Sequence, residues 1–284
     1  MDGILIINKE KGITSQKVLT KLKHILNVSK IGHCGTLDPI ATGVLVCLLG
    51  SATKLSKYLL EENKCYNASL KLGIRTDTFD ITGNITDTKD DFSVSDAQID
   101  EVLNSFIGKS TQTPPIYSAI KINGKKLYEY ARSGKDVEIN KREIEIYDIK
   151  RSSSLINNEF SFNVFASKGT YIRSLIDDIG IKLNSYAVMT NLTRTKSGKF
   201  DIKDSYTLED IEKGKFKLIS MVDALDMPKE VLDENTYIKV KNGGKLSLKT
   251  FDKIYDEVML IYGDKLVAIY KKDQSFYKSE VIWN

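Results

Sequence analysis

The sequence predicts an α+β protein with a mainly antiparallel mixed sheet, followed by a small β-rich domain at the C-terminus. Strand-like and helix-like segments follow one another without the strict alternation of a βαβ protein. After residue 226, short strand patterns surround the glycine turns at 242–244 and 263–264. With 284 residues, 41% of them apolar and 28% charged, the chain is large enough for two hydrophobic cores. We therefore expect a larger domain over residues 1–226 and a smaller one over residues 227–284.

The first elements of the larger domain are predicted from the spacing of apolar residues. A short buried strand is expected at residues 4–7, where four apolar residues are consecutive. A helix capped by Thr14 or Ser15 should follow, because apolar residues then recur at helical spacing. These apolar residues are Val18, Leu19, Leu22, Ile25 and Leu26. The apolar run 44–49 predicts a core strand, and a short helix is expected over 51–60.

The later predicted elements show, in turn, the alternating apolar pattern of strands and the helical spacing of apolar residues. Residues 66–72 alternate like a strand with one solvated face, and 95–98 form a capping-box pattern that opens a helix. Two further strands are predicted at 144–149 and 160–166. A helix is predicted over 170–183, where apolar residues again recur every three or four positions. No internal repeat interrupts this order.

The segment GHCGTLDP, residues 32–39, is the strongest candidate for a functional loop. Its glycines admit unusual dihedral angles, so a ligand could approach the backbone closely, and we expect Gly35 to lie at the substrate. Pro39 restricts Asp38 to extended conformations, and His33, one of only two histidines, precedes the acid by five residues. On local physics alone, however, such a loop is more often a turn in which the aspartate bonds its own backbone.

Residues 32–45 resemble the catalytic loop of the TruB family of tRNA pseudouridine-55 synthases, G-H-x-G-x-L-D-P-x-A-x-G-x-L, at every fixed position. Further segments resemble family patterns in the same order along the chain. They are 8–15 (K-P-x-G-x-T-S), 64–78 (K-x-Y and R-T-D-T), 112–132 (P-P-x-Y-S-A-x-K and its continuation), 167–175 (S-K-G-T-Y-I-R-S-L) and, more loosely, 192–200. The resemblance covers most of residues 1–225. It implies a cytoplasmic enzyme that isomerises uridine 55 in the T-loop of tRNA to pseudouridine.

The resemblance also implies roles for individual side chains. Asp38 would be the nucleophile and Arg173 its ion-pair partner. Tyr66 would stack on the target base and take part in proton transfer at C5, while Tyr171 would help to pack the pocket. His33 would occupy the space left by the flipped-out base. Without the resemblance, Arg173 is more simply a surface arginine, Tyr66 a packing residue and His33 an ordinary loop histidine.

Several cations are expected to contact the phosphates of the RNA, which position a protein without specifying sequence. They are Lys9, Lys64 and the basic segment 117–135, which includes Arg132 and interleaved tyrosines. In stand-alone family members an inserted loop, here 112–142, clasps the T-arm of the tRNA. The same segment could equally be an ordinary amphipathic loop and helix.

Composition limits the other possibilities. The formal net charge of +4 is too small by itself to indicate a nucleic-acid partner, although basic residues are concentrated in 1–60 and acidic ones in 64–100. Two histidines and three scattered cysteines give no pattern of metal ligands, and the isomerisation requires no cofactor, so we expect neither. The cysteine pattern indicates a reducing cytoplasm. We expect a monomer without a membrane segment or an obligatory protein partner.

Three positions depart from the family patterns: Glu10 replaces a proline, Cys34 often a threonine, and Cys65 often a basic residue. Three alternatives remain at this stage. They are a guide-RNA-dependent relative, a non-catalytic RNA-binding protein or tRNA-folding chaperone, and a carbohydrate-acting enzyme. The inserted loop argues against the first, and the lack of a second constrained acid against the last. The C-terminal domain only loosely resembles the PUA module, an RNA-binding β-barrel.

Overall fold

The computed structural model describes residues 1–135 and 137–283, which form two large sheets, two short hairpins and flanking helices. In chain order the strands are β1 (Gly3–Lys9), β2 (Ile31–Cys34), β3 (Thr42–Leu49), β4 (Lys64–Leu72), β5 (Ile74–Thr76), β6 (Ile85–Thr88), β7 (Gly108–Gln112), β8 (Lys121–Ile122), β9 (Lys125–Lys126), β10 (Arg142–Arg151), β11 (Glu159–Ala166), β12 (Ala187–Ser197), β13 (Phe200–Asp201), β14 (Lys229–Val231), β15 (Leu246–Ser247), β16 (Glu257–Tyr262), β17 (Lys265–Asp273) and β18 (Phe276–Ile282). The α-helices are α1 (Ser15–Ile25), α2 (Ser56–Leu60), α3 (Asp96–Asn104), α4 (Leu127–Arg132), α5 (Ile172–Lys182), α6 (Leu208–Glu212) and α7 (Glu234–Lys241).

The larger sheet has the strand order β1-β3-β12-β4-β11-β10-β7, with β2 also paired to β3 and β13 to β12. Among the described strands of this sheet, β3 and β12 pair in parallel and all other pairs are antiparallel. One face of the sheet packs against α1, α3 and α5 around a continuous apolar core. The predicted α+β class with a mainly antiparallel mixed sheet is confirmed.

Most predicted elements are present, with shifted ends. Thr14 caps α1 by accepting a hydrogen bond from the Lys17 amide at 3.1 Å. The capping box at 95–98 opens α3 as expected. The helix predicted over 170–183 begins later, at Ile172, because Tyr171 is the extended residue that precedes the first turn.

Two local predictions are wrong, and one strand was not predicted. Residues before the 242–244 turn form α7 instead of a strand, since Asp233 caps them by accepting from the Thr236 amide at 2.7 Å. His33 lies on strand β2, opposite Cys47, and not in a loop. Strand β12, between β3 and β4, was not expected because its sequence mixes polar and apolar residues without clear alternation.

The smaller sheet follows residue 228 and has the order β14-β16-β17-β18-β15. The predicted turn at 263–264 joins β16 to β17. Its inner residues share an apolar core with the outer face of β1 and β3, and the Trp283 indole donates to the Ser51 carbonyl at 3.0 Å. The smaller sheet is therefore packed directly against the larger one. The division of the chain at residue 226 stays a prediction.

Candidate active site

The loop between β2 and β3 is held to its surroundings by backbone hydrogen bonds. The side-chain hydroxyl of Ser15, the first residue of α1, donates to the Leu37 carbonyl at 3.0 Å and accepts from the Leu37 amide at 2.9 Å. The Gly12 amide donates to the Pro39 carbonyl at 2.7 Å, and the Ala41 amide to the Asp38 carbonyl at 3.0 Å. Asp38 therefore stands on a fixed backbone.

Asp38 and Arg173 form an ion pair. The Arg173 Nε lies 2.8 Å from Asp38 Oδ2, and 35% of the aspartate side chain is exposed against 5% of the arginine. The other guanidinium nitrogens donate to two backbone carbonyls, Thr78 at 2.9 Å and Tyr117 at 2.8 Å. A guanidinium fixed at three points cannot follow a moving partner, so it fixes the direction of the carboxylate instead.

Opposing effects act on the pKa of Asp38. Burial raises the pKa of Asp38 above its usual value, and the nearby Asp80 raises it further, whereas Arg173 and Lys9 lower it. Asp80 Oδ2 lies 3.9 Å from Arg173 Nη1, so the arginine faces two carboxylates. The raised pKa means that Asp38 is partly desolvated, which makes a carboxylate a better nucleophile.

A cavity of about 290 Å³ opens at the exposed side of Asp38. It brings together six of the predicted site residues and several unpredicted ones. Its lining is Gly35, Thr36, Leu37, Asp38, Leu60, Lys64, Tyr66, Ser118, Ala119, Gly169, Thr170, Tyr171, Ile172, Arg173, Leu192 and Arg194. Tyr66 is half-buried on β4, and burial raises the pKa of Tyr171. An aromatic wall beside a fixed carboxylate suits a flat ring as ligand.

Comparisons with known proteins agree with this geometry. The family model described as TruB family pseudouridylate synthase (N terminal domain) matches residues 23–172, and that of the tRNA pseudouridylate synthase B C-terminal domain matches 173–227. The chain belongs to the TruB family. It is 44% identical to tRNA pseudouridine synthase B of Mesoplasma florum over 95% of this chain and 94% of that one. It is 43% identical to tRNA pseudouridine synthase B of Ligilactobacillus salivarius, covering 99% and 98%.

Solved structures show the same TruB-type fold. A Cbf5-Nop10-Gar1 complex contains a chain with a TM-score of 0.75 and 27% identity, covering 99% of this chain and 84% of that one. A chain in an H/ACA RNP bound to a substrate RNA containing 2'-deoxyuridine gives a TM-score of 0.74 and 25% identity, covering 99% and 85%.

Two of the lysines expected at phosphates are buried in this TruB-family chain, with their ammonium groups bound to backbone carbonyls, and these expectations are corrected. Lys9 is fully buried, and its ammonium donates to the carbonyls of Glu10 at 2.8 Å, Ile13 at 2.7 Å and Pro39 at 3.5 Å. Lys64 lines the cavity but is 6% exposed, with its ammonium bound to the Leu60 carbonyl at 2.9 Å and to that of Glu62. Both ammonium groups hold backbone in place and are not free to meet RNA.

His33 and Arg132 lie outside the described lining of the TruB-type cavity. His33 is half-buried, its Nδ1 has no hydrogen-bond partner among the described residues, and burial together with Arg194 lowers its pKa. Arg132 is exposed at the end of α4, with its guanidinium 5.5 Å from the centre of the Tyr128 ring. The structure does not bring either residue to the carboxylate.

Three residues of the site were not predicted from the sequence. Asp80 lies beyond the recognised R-T-D-T letters, Ser118 was quoted only as part of a motif, and Arg194 only as part of the looser match. Ser118 is buried with its hydroxyl lacking a hydrogen-bond partner among the described atoms. Across residues 1–135 and 137–283, no cluster of His, Cys, Asp or Glu could hold a metal ion, and no helix could span a membrane.

Proposed function

We propose that this chain isomerises uridine 55 in the T-loop of tRNA to pseudouridine, with Asp38 as nucleophile and without guide RNA or cofactor. The observation that carries the proposal is the Asp38 carboxylate, held at 2.8 Å by a buried Arg173 at the mouth of a cavity walled by Tyr66 and Tyr171. The family and the names of the curated relatives support tRNA as the substrate.

The chemistry requires only groups that the site supplies. The N1–C1′ bond of uridine breaks, the base turns, C5 joins C1′, and the C5 proton is lost while N1 gains one. No atom enters or leaves overall, so a nucleophile and a proton carrier suffice. In the proposal Asp38 acts as the nucleophile, any bond that it forms is broken again by the time C5 has joined C1′, and Arg173 keeps its carboxylate oriented and ionised. Tyr66, on the cavity wall, stacks on the base and assists proton transfer at C5.

The RNA would be bound by parts of the chain that surround the cavity. We propose that residues 1–226 form the catalytic domain and 227–284 a PUA-like RNA-binding domain. Residues 112–142 would clasp the T-arm, with Arg132 at its phosphates, and His33 would stabilise the flipped-out state. In this proposal the enzyme works as a cytoplasmic monomer that needs no protein partner.

The test is pseudouridine mapping in unmodified tRNA incubated with the purified protein. Wild type should modify position 55 without guide RNA, and Asp38→Asn should bind the tRNA but modify nothing. Asp91→Asn is the matched control, because Asp91 is exposed and remote from the cavity lining. Tight binding without modification by wild type would leave the rival function, a non-catalytic RNA-binding protein or chaperone. An Asp38→Asn variant that retains turnover would exclude Asp38 as nucleophile.

A further inference from the structure

Arg194 on β12 is a buried cation that connects the two ends of the Asp38 loop. Only 1% of the residue is exposed. Its Nε donates to the Val44 carbonyl at 2.7 Å, and its Nη2 donates to the Gly35 carbonyl at 2.9 Å. Gly35 precedes Asp38 by three residues, and Val44 follows it by six. One guanidinium therefore spans the loop that carries the carboxylate.

Two glycines allow Arg194 to lie close to the Asp38 loop. The parallel pairing of β12 with β3 places Arg194 opposite Gly43, where a β-carbon would collide with the Arg194 carbonyl oxygen. A β-carbon on Gly35 would lie 3.2 Å from Arg194 Nη1, and Gly35 has a φ of +89°, which favours glycine. The glycines thus allow the strand and the guanidinium to approach the loop at both ends.

The charge of Arg194 has no counterpart that would explain it as an ordinary ion pair. In the described part of the chain its hydrogen-bond partners are carbonyl oxygens and not carboxylates. Burying an unpaired charge is costly, and an apolar side chain of similar size would fill the space with less penalty. The planar fork of a guanidinium presents its N–H groups in fixed directions, whereas the ammonium of a lysine rotates on a flexible stem. The geometry of the loop therefore accounts for the arginine.

We infer that Arg194 is a positioning residue, which holds the backbone of the Asp38 loop at the distance from which its carboxylate meets Arg173. This inference rests on the proposed function. Arg173 fixes the carboxylate directly, and Arg194 fixes the loop from which that side chain extends. A displacement of the loop by about an ångström separates the nucleophile from the reacting atom and costs about a hundredfold in rate.

The test compares Arg194→Lys and Arg194→Gln with wild type in single-turnover conversion of tRNA, tRNA affinity, thermal unfolding and the pH dependence of the rate. Lysine keeps the charge but lacks the planar fork of the guanidinium. We expect both variants to bind tRNA within about threefold of wild type and to lose about ten- to a hundredfold in rate. The acid limb of the rate should also move, because Asp38 is displaced from Arg173. Arg151→Lys is the control, since Arg151 pairs with Asp96 and Asp100 away from the loop.

Each outcome decides the inference. Folded variants with a wild-type rate, or with a loss confined to tRNA affinity, would overturn it. A lowered melting temperature with unchanged rate per folded molecule would assign Arg194 a structural role only. If neither variant folds, Gly35→Ala keeps the arginine but displaces the loop end. Because Gly35 also lines the cavity, the inference then requires a loss of rate together with unchanged tRNA affinity and a moved acid limb. A wild-type protein that modifies no tRNA would contradict the proposed function itself and not Arg194 in particular.

Discussion

At the level of single residues, the central feature is a carboxylate under two opposing influences. Burial and Asp80 favour the neutral form of Asp38, whereas Arg173 and Lys9 favour the ionised form. Arg173 contributes both its charge and a hydrogen bond at 2.8 Å. The arginine thus opposes the effect of burial and favours the ionised carboxylate, which a nucleophile needs.

Removal of the Arg173 charge should therefore shift the pH dependence of the reaction. In Arg173→Gln the carboxylate keeps its burial and its neighbour Asp80 but loses the cation that lowers its pKa. Because only ionised Asp38 can act as nucleophile, the acid limb of the single-turnover rate should move to higher pH. The rate at neutral pH should fall by about a hundredfold, as expected for a lost charged hydrogen bond. The measurement is a pH–rate profile from pH 5 to 8.

The control for this profile is Arg75→Gln, because Arg75 pairs with Asp177 on the same helix as Arg173 but does not touch Asp38. Its acid limb should coincide with that of wild type. An acid limb that stays in place in Arg173→Gln, or moves to lower pH, would show that Arg173 does not control the ionisation of Asp38.

The sequence could indicate which residue types matter but not which of them are buried. The motif matches pointed to the residues that meet in the cavity, including Tyr66 and Arg173. Lys9 was expected at phosphates, but its ammonium binds the nearby carbonyls of Glu10 and Ile13 and, across the fold, that of Pro39. Arg194 was overlooked because its partners lie 150 or more positions away in sequence. Contacts of this kind leave no local pattern.

At the level of elements, helix α1 supports the Asp38 loop through its first residue. Ser15 exchanges two hydrogen bonds with the backbone of Leu37, and both residues are buried. Thr14, directly before it, caps the same helix, and the hydrogen bond of its hydroxyl among the described residues is to the Lys17 amide. Substitution of each of these two hydroxyls therefore tests a different property: Thr14 the stability of the helix, and Ser15 the position of the loop as well.

Ser15→Ala and Thr14→Ala should have similar effects on stability and different effects on rate. Loss of the cap in Thr14→Ala should cost about 1 kcal/mol of unfolding free energy. Ser15→Ala leaves the buried Leu37 amide and carbonyl without partners and should cost about 1–3 kcal/mol. Only Ser15→Ala should also slow single-turnover conversion, by about tenfold, because it releases the residue next to Asp38. Equal rates in the two variants, measured on fully folded protein, would contradict this link.

The elements that the sequence predicted well are those with a regular apolar period. The predicted strand over 44–49 and the helix after Thr14 show such a period, and both are present. Strand β12 is central in the sheet, yet its segment TNLTRTK is largely polar, and its Leu192 and Arg194 line the cavity. Helix α7 has few buried residues, so its apolar pattern is weak. In both cases the tertiary surroundings decide the structure.

At the level of the whole molecule, the two sheets share apolar contacts, and the larger one contains buried cations. Lys9 and Lys64 lie on β1 and β4 of the larger sheet, and burial lowers the pKa of each to about 8 from 10.5. Because the shared core links the sheets, the chain should unfold as one unit, so that a single free energy of unfolding is defined. The protonation of these lysines then contributes to the stability of the entire chain.

This burial predicts that the protein becomes more stable as the pH rises from about 8 to 9. In that range the folded lysines have released protons that the unfolded chain still binds, so stability rises with pH by about 1 kcal/mol per unit for each lysine. Above pH 9 the buried thiols act in the opposite direction, because burial raises the pKa of Cys34 to about 12 and that of Cys47 as well. Urea unfolding at pH 7.5, 8.5 and 9 should show the rise in wild type, and Lys9→Met should reduce it by about half. Lys11→Met, which removes an exposed lysine, should leave the rise intact. A wild type whose stability falls throughout this range would show that burial does not lower the pKa of these two lysines.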